Sequence, residues 1–318
     1  MRHPNMMKSA FLAGVITLNT GILSAQDYPA KPIRFIANPA GGPNDTVARV
    51  IAQGISGPLG QTVIIDNRPS ALMGELAFRA APDGYTILLA SSTFTYGSLM
   101  RDLPYDPVRD FLPITLASSA PNILVVHPSL PVKSVKELIS FAKARPGALN
   151  CASSGSGSGN HLAIELFKAM AGVNIVHVPY KGSAPSLGDL LSGQLQLMFT
   201  PGTVVTSHVK SGRLRLLAVS SLRPSALYPD VPTVAATLPG YESAATIGVF
   251  APVKTPATVI NRLNHEIVQV LNKPEVKEKF LSIGVETVGN TPQELGAWMK
   301  MEIARMGKVI KDAGIRGE

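Results

Sequence analysis

Short β-branched runs alternate with longer amphipathic stretches from Ile33 onward, and clusters of Gly, Pro, Ser or Asn separate them. That order limits the chain to an α/β protein, because a helix that follows a strand packs back onto the sheet as a crossover. The runs place strands near 33–38, 62–66, 85–90, 112–118, 121–127, 148–152, 174–178, 195–199, 214–219 and 247–251. Helices are expected near 44–57, 74–81, 134–143, 160–171, 184–192, 203–211, 256–272, 274–283 and 292–313. The last of these opens on Thr291-Pro292-Gln293-Glu294, with a Thr N-cap, Pro at the first helical position and Glu at the capping-box position. With 318 residues, 45% of them hydrophobic, the chain has material for two ordinary domains, and disorder is excluded.

Two apolar extended runs stop at proline-punctuated loops, ILVVHPSLPVKS (123–134) and GVFAPVKTP (248–256). A chain that leaves a first domain near 126 and returns near 248 joins the two by a pair of strands, which is a hinge. The expected organisation is a first lobe of 26–126 plus 248–318 and a second lobe of 127–247. Ligands in open α/β sheets sit beyond the carboxyl ends of the strands, so a cleft between such lobes is lined by strand-to-helix loops.

Residues 1–25 stand apart from this pattern: Arg2 and Lys8 precede a mostly apolar run from Ala10 to Leu23, followed by Ser24 and Ala25. This reads as a secretory signal peptide cleaved after Ala25. A retained anchor is the alternative, but Thr17, Asn19 and Thr20 dilute the run below the length that spans a bilayer. The 29 Lys and Arg against 21 Asp and Glu give +8, and loss of Arg2 and Lys8 leaves +6. Those charges are scattered singly, with a single Trp, which argues against nucleic acid as a partner. A mild positive field suits anionic small molecules, although a generally basic surface gives the same number. The one cysteine, Cys151, forms no internal disulfide and no Cys-rich metal cluster, and it reads as a small buried strand residue.

Three loops place Gly, Ser or Pro between an apolar strand and a helix: NPAGGPNDT (38–46), ASSGSGSGN (152–160) and PYKGSAP (179–185). Glycine lets the backbone approach a ligand, and a helix that starts there aims unpaired N–H groups and the positive end of its dipole at the occupant. An anion is the natural occupant, and the middle loop adds the hydroxyls of Ser153, Ser154, Ser156 and Ser158. Asp45 reads either as a ligand-facing acid or as a first-turn residue that stabilises the helix dipole, and Lys181 as a ligand contact or a solvated loop charge.

Enzyme motifs fail on spacing. Gly157 stands where a nucleophile elbow needs serine, Asn160 where a dinucleotide fingerprint needs Gly or Ala, and Gln269 where the His265-Glu266 pair needs a second histidine. His127, His161, His177 and His208 show no metal-ligand spacing, and only His161, beside the serine loop, falls near the candidate site. No nucleophile, base and orienting group occur together, and no cofactor is implied.

Read in order, several segments carry a specific resemblance. They are YPAKPIRFIANPAGGPNDTVAR (28–49), DNRP (66–69), APDGYTILLAS (81–91), LPYDPVRDFLPI (103–114), CASSGSGSGNHLAIELFKAMAG (151–172), HVPYKGSAPSLGDLLSGQLQLMF (177–199), GRLRLLAVSSLRPSALYPDVPT (212–233) and LPGYE (238–242). Together they resemble the periplasmic substrate-binding receptors of tripartite tricarboxylate transporters, also called Bug-type receptors. The resemblance implies a type II periplasmic binding protein fold, with two α/β lobes joined by two crossover strands around a ligand cleft. It also implies a monomer in the periplasm that closes on a small carboxylate and docks to a membrane permease. In such receptors the carboxylate is held by backbone N–H groups, hydroxyls and ordered water. By position this carries over to Gly41, Gly42, Asp45, Ser153, Ser154, Gly155 and Ser158, with Tyr180, Lys181 and Gly182 at the third loop.

The chain departs from the pattern at three places. Ser70-Ala71-Leu72-Met73-Gly74 is poorer in glycine and shorter than usual, Thr246 and Ile247 stand where an aromatic pair is common, and Gln196 replaces the usual acid. These changes leave the fold reading intact and bear on which carboxylate is bound. Two other functions stay open on the sequence: a ligand-dependent receptor for a membrane sensor, and a hydrolase using Ser158 and His161.

Overall fold

A computed structural model describes residues 28–316, so the expected leader at 1–25 lies outside the described residues. The first elements in chain order are β1 (Ile33–Ala37), α1 (Pro43–Leu59), β2 (Val63–Asn67), α2 (Ser70–Phe78), β3 (Thr86–Ser91), α3 (Ser92–Met100) and β4 (Phe111–Val126). Then come α4 (Val135–Ala144), β5 (Asn150–Ser153), α5 (Gly159–Ala171), β6 (Val176–Pro179), α6 (Ser183–Leu191), β7 (Leu197–Pro201), α7 (Gly202–Lys210) and β8 (Arg215–Val219). The chain ends with β9 (Ala244–Pro252), α8 (Ala257–Leu271), α9 (Pro274–Ser282), β10 (Glu286–Thr287) and α10 (Pro292–Asp312).

The sequence IRFIA of β1 is buried at four of its five positions, the near-continuous apolar run of a parallel strand covered on both faces. It pairs in parallel with β2 and β3. Strand β9 runs antiparallel between β3 and β4, and β4 continues antiparallel to β7 and β8. Strand β5 lies parallel to both β7 and β6, which gives the order β2-β1-β3-β9-β4-β7-β5-β6. One sheet therefore serves two α/β lobes, and β4 and β9 are the strands that pass between them.

Each lobe buries apolar side chains on both faces of its part of the sheet. In the first lobe, Val47, Ile51 and Ile55 of α1 recur every four residues and pack with Leu263 and Ile267 of α8 over one face. Met73 of α2 and Leu295 and Met299 of α10 cover the other. In the second lobe, α4 and α5 cover one face through Leu138, Leu162 and Phe167, and α6 and α7 cover the other through Leu190 and Val205. Cys151 is fully buried on β5, as its neighbours require, and burial pushes its thiol up to about 12.

Strands expected separately at 112–118 and 121–127 are one strand. The Ser118-Ser119-Ala120-Pro121-Asn122 segment marks an exchange of partners instead of a turn: β4 pairs β9 as far as Pro121 and β7 from Asn122. Register shifts in the β4–β9 ladder fall earlier, between Pro113 and Thr115 and between Leu116 and Ser118, and a proline without a donor is tolerated where pairing changes. The exchange at 121–122 and the start of β9 at Ala244 lie a few residues before the crossings expected near 126 and 248. Helix α10 begins on the expected capping box, with Thr291 Oγ1 accepting from the Glu294 N–H and Glu294 Oε2 accepting from the Thr291 N–H. Its far end, Met306, Val309 and Ile310, packs into the core of the second lobe, although the sequence grouped 248–318 with the first.

Candidate functional site

The lobes face each other across a cleft of about 360 Å³, within the range of small-molecule sites. Five helices begin at or beside it: Pro43 and Asn44 of α1, Ser92 of α3, Gly159 and Asn160 of α5, Ser183 of α6 and Thr203 of α7 all line the cavity. Ala120 and Asn122 of β4, Ser243 and the first four residues of β9 form the surface between them. Helix N-termini present N–H donors and partial positive charge, so the cleft attracts an anion without a formal cation. No Lys or Arg lines it among the described residues.

The first loop is pinned from behind. Gly41 takes φ +91, which glycine adopts without strain, and its N–H donates to Asp45 Oδ2 at 3.0 Å. The same oxygen accepts from Arg49 Nε at 2.9 Å, and Asp45 Oδ1 accepts from Asn67 Nδ2 at 2.8 Å. Burial alone would raise the Asp45 pKa, but the hydrogen bonds from Arg49, Gly41 and Asn67 outweigh it and hold the carboxyl below its ordinary value. Asp45 is 4% exposed and does not line the cavity. Its carboxylate fixes Gly41, just ahead of Pro43 and Asn44, which reach the cleft.

The serine loop is organised around Asn160. Its Oδ1 accepts from the Ser154 N–H at 3.3 Å and the Ser154 hydroxyl at 3.0 Å, and lies 2.7 Å from Ser158 Oγ. The backbone N–H of Ser154 can only donate, so the atom it meets is the amide oxygen and the Nδ2 donors point away from the loop. Ser154 and Asn160 line the cavity. Ser153, Gly155 and Ser158 do not: Ser158 caps α5 by accepting from the His161 N–H, and Ser153 Oγ lies 2.6 Å from His177 Nε2.

His161 is 6% exposed and sits behind the loop, with Nδ1 accepting from the Gly157 N–H at 3.0 Å. Its ring stacks on that of His177 with centroids 3.7 Å apart and planes within 10°. Burial is the main force pushing both imidazoles down to about 4, so both are neutral near pH 7. Neither ring nitrogen of His161 meets the Ser158 hydroxyl: Nδ1 faces Gly157 and Nε2 lies 3.8 Å from Glu165. The donors of His161, Glu165 and His177 fall within 4.8 Å of one another. Parallel stacked rings, however, aim their lone pairs along two planes and do not converge on one ion, and Lys168 already holds Glu165 at 2.8 Å.

The third loop supports the second. The Tyr180 and Gly182 N–H groups donate to the carbonyls of Ser153 and Ser154, each at 3.1 Å. The Tyr180 hydroxyl donates to Asp189, Lys181 is exposed, and Gly182 at φ +106 precedes α6. Of the residues expected from the sequence, only Ser154 lines the cavity, and the others frame the loops that deliver Asn44, Asn160 and Ser183 to it.

Several lining residues escaped the sequence reading. Ser91 and Ser92 sit on a fourth strand-to-helix turn that was hidden because α3 was not expected. Tyr96 of α3 and Glu302 of α10 meet across the back of the cleft, where the tyrosine hydroxyl donates to Glu302 Oε1 at 2.8 Å and Arg305 grips both oxygens. No local motif announces Glu302, which arrives from a helix distant in sequence.

The family model for "Tripartite tricarboxylate transporter family receptor" matches residues 47–315. Protein BugT of Bordetella pertussis is 36% identical over 98% of this chain and 99% of its own length. The solved structure of Rpa4515 from R. palustris, titled as holding adipate, is 37% identical with TM-score 0.71 and covers 91% of this chain and 99% of that one. That of MatC from Rhodopseudomonas palustris, titled as holding malate, is 28% identical with TM-score 0.67 and covers 89% of this chain and 100% of that one.

Proposed function

Because this chain belongs to the tripartite tricarboxylate transporter receptor family, we propose that it captures a small carboxylate between its two lobes in the periplasm and hands it to a membrane permease. The cleft is the observation that carries this reading: five helix N-termini and a set of hydroxyl and amide side chains surround a single cavity without a lining cation. A carboxylate accepts several hydrogen bonds at once, and bonds to a charged acceptor contribute about 1.5–3 kcal/mol each. Asn44, Ser92, Asn160 and Ser183 are the side chains proposed to donate, with the backbone at the helix starts, while the Ser154 hydroxyl, which lines the cavity, already donates to Asn160 Oδ1. Gly41, Gly42 and Asp45 hold the first loop in place, and Ser153, Gly155, Ser158, His161, Tyr180, Lys181 and Gly182 hold or flank the other two. The adipate and malate of the related structures are carboxylates of suitable size and support the same assignment.

In this reading the lobes close about β4 and β9, and the leader at 1–25 directs export. The resident acid is unknown, so a thermal-shift screen of the mature chain against mono-, di- and tricarboxylates, amino acids and aromatic acids tests the assignment. A true ligand at about 100 times its dissociation constant stabilises the protein by roughly 2.7 kcal/mol. Shifts from neutral compounds alone, with none from any acid, would overturn it.

A further inference from the structure

We infer that this cleft selects an acid with a single carboxylate on a neutral, largely apolar body over a dianion of the same length. The inference rests on the carboxylate reading above and narrows it. Ala120, Leu162, Ala245, Ile247, Ile283 and Met306 line the cavity along with the hydroxyl and amide donors, so much of an occupant's surface meets hydrocarbon. Thr246 and Ile247 add no ring, leaving room for the body of the ligand at the start of β9.

The one charged side chain on the cavity wall, among the described residues, is an acid. Glu302 is 4% exposed, and its oxygens already accept from the Tyr96 hydroxyl and from Arg305. Arg305 is not among the lining groups, so its charge is spent behind the wall on Glu302. Glu242, which precedes β9, shares this region: burial, then the nearby Glu302, raise its pKa, with Arg305 opposing. Arg305 is paired with Glu302, and Glu242 lies near enough to feel both charges. A second carboxylate on the ligand would lose its water beside Glu302 and find no counter-charge. A methyl group or aromatic edge meets no such opposition. The five helix starts, drawn from both lobes, suit one anion held between them.

Calorimetry on the mature chain with hexanoate and adipate, two acids of equal chain length, tests this. Hexanoate is expected to bind at least tenfold more tightly than adipate at neutral pH. A smaller ratio, or one favouring adipate, would overturn the selectivity. Binding of neither acid, or of any probe in the wider acid screen, would remove the carboxylate reading itself, which is a separate result. In Glu302→Gln the ratio is expected to fall at least threefold, and an unchanged ratio in a folded variant would show that Glu302 does not set it. Monomethyl adipate answers the same question without mutation: it is expected to bind at least tenfold more tightly than adipate, and equal affinity would count against a charge effect.

Discussion

Asp45 is a conspicuous acid whose hydrogen bonds are spent on its own loop and the strand beside it. Its carboxylate gathers Gly41, Arg49 and Asn67 in a buried position. Asp45→Ala removes the acceptor of the Gly41 N–H and one acceptor each of Arg49 and Asn67, which keep Asn67 Oδ1 and the Asn38 carbonyl, and is expected to destabilise the empty protein by about 1–3 kcal/mol. Urea unfolding measures the loss, and an unchanged midpoint would return Asp45 to a direct role with ligand. Because its folded pKa is lowered, the stability it contributes is present above the unfolded value near 3.9 and is lost as pH falls through the lower folded value. The stacked His161 and His177 act in a different window. Their folded values near 4 lie below the unfolded value near 6.5, so the unfolded chain takes up protons first as pH falls. Stability is therefore expected to drop between about pH 6.5 and 4, at up to roughly 1.4 kcal/mol per unit for each ring. Denaturation midpoints in His177→Gln should fall less steeply across that range than in the parent, and equal slopes would contradict the assignment.

At the scale of elements, strongly periodic helices and apolar strands were legible, and so were the three glycine-bearing loops. Helix α10 is the clearest case, since Thr291, Pro292 and Glu294 state its start in local chemistry. Helix α3 was not legible. Its sequence STFTYGSLM is rich in β-branched, aromatic and small residues and has no single apolar face, because it packs between α10 and the strands. Missing α3 concealed Ser91, Ser92 and Tyr96, which is why the set of lining residues read from sequence was incomplete. Asn160 was visible only as a mismatch to a nucleotide motif, and its role emerges once the loop folds back on its amide. The α9–β10 turn carries a further expectation. Gly284 at φ +78 faces Thr203 of α7 in the opposite lobe, and a Cβ there would lie 2.7 Å from Thr203 Cγ2. Valine is strained at this positive φ, and in the folded variant Gly284→Val is expected to hold the lobes apart and to abolish the fall in radius of gyration expected when the parent binds an acid. Solution scattering with and without ligand reads this directly, and full compaction in the variant would show that the contact does not limit closure.

For the molecule as a whole, the two lobes are tied at several places besides β4 and β9. Glu286 of β10 accepts from the Ser225 hydroxyl and the Leu227 N–H, and α10 lends Met299 to one core and Met306 to the other. Long-range arrangements of this kind leave no local trace in sequence, which explains why the path of α10 and the acid wall at Glu302 were not legible there. The proposed function requires an anion held by neutral donors at the helix starts. Calorimetry with a ligand acid and its own primary amide, equal in size and shape but differing in charge, tests that claim most directly. The acid is expected to bind roughly 10²- to 10⁴-fold more tightly, the loss of two charge-assisted hydrogen bonds. Comparable affinity for acid and amide would contradict it.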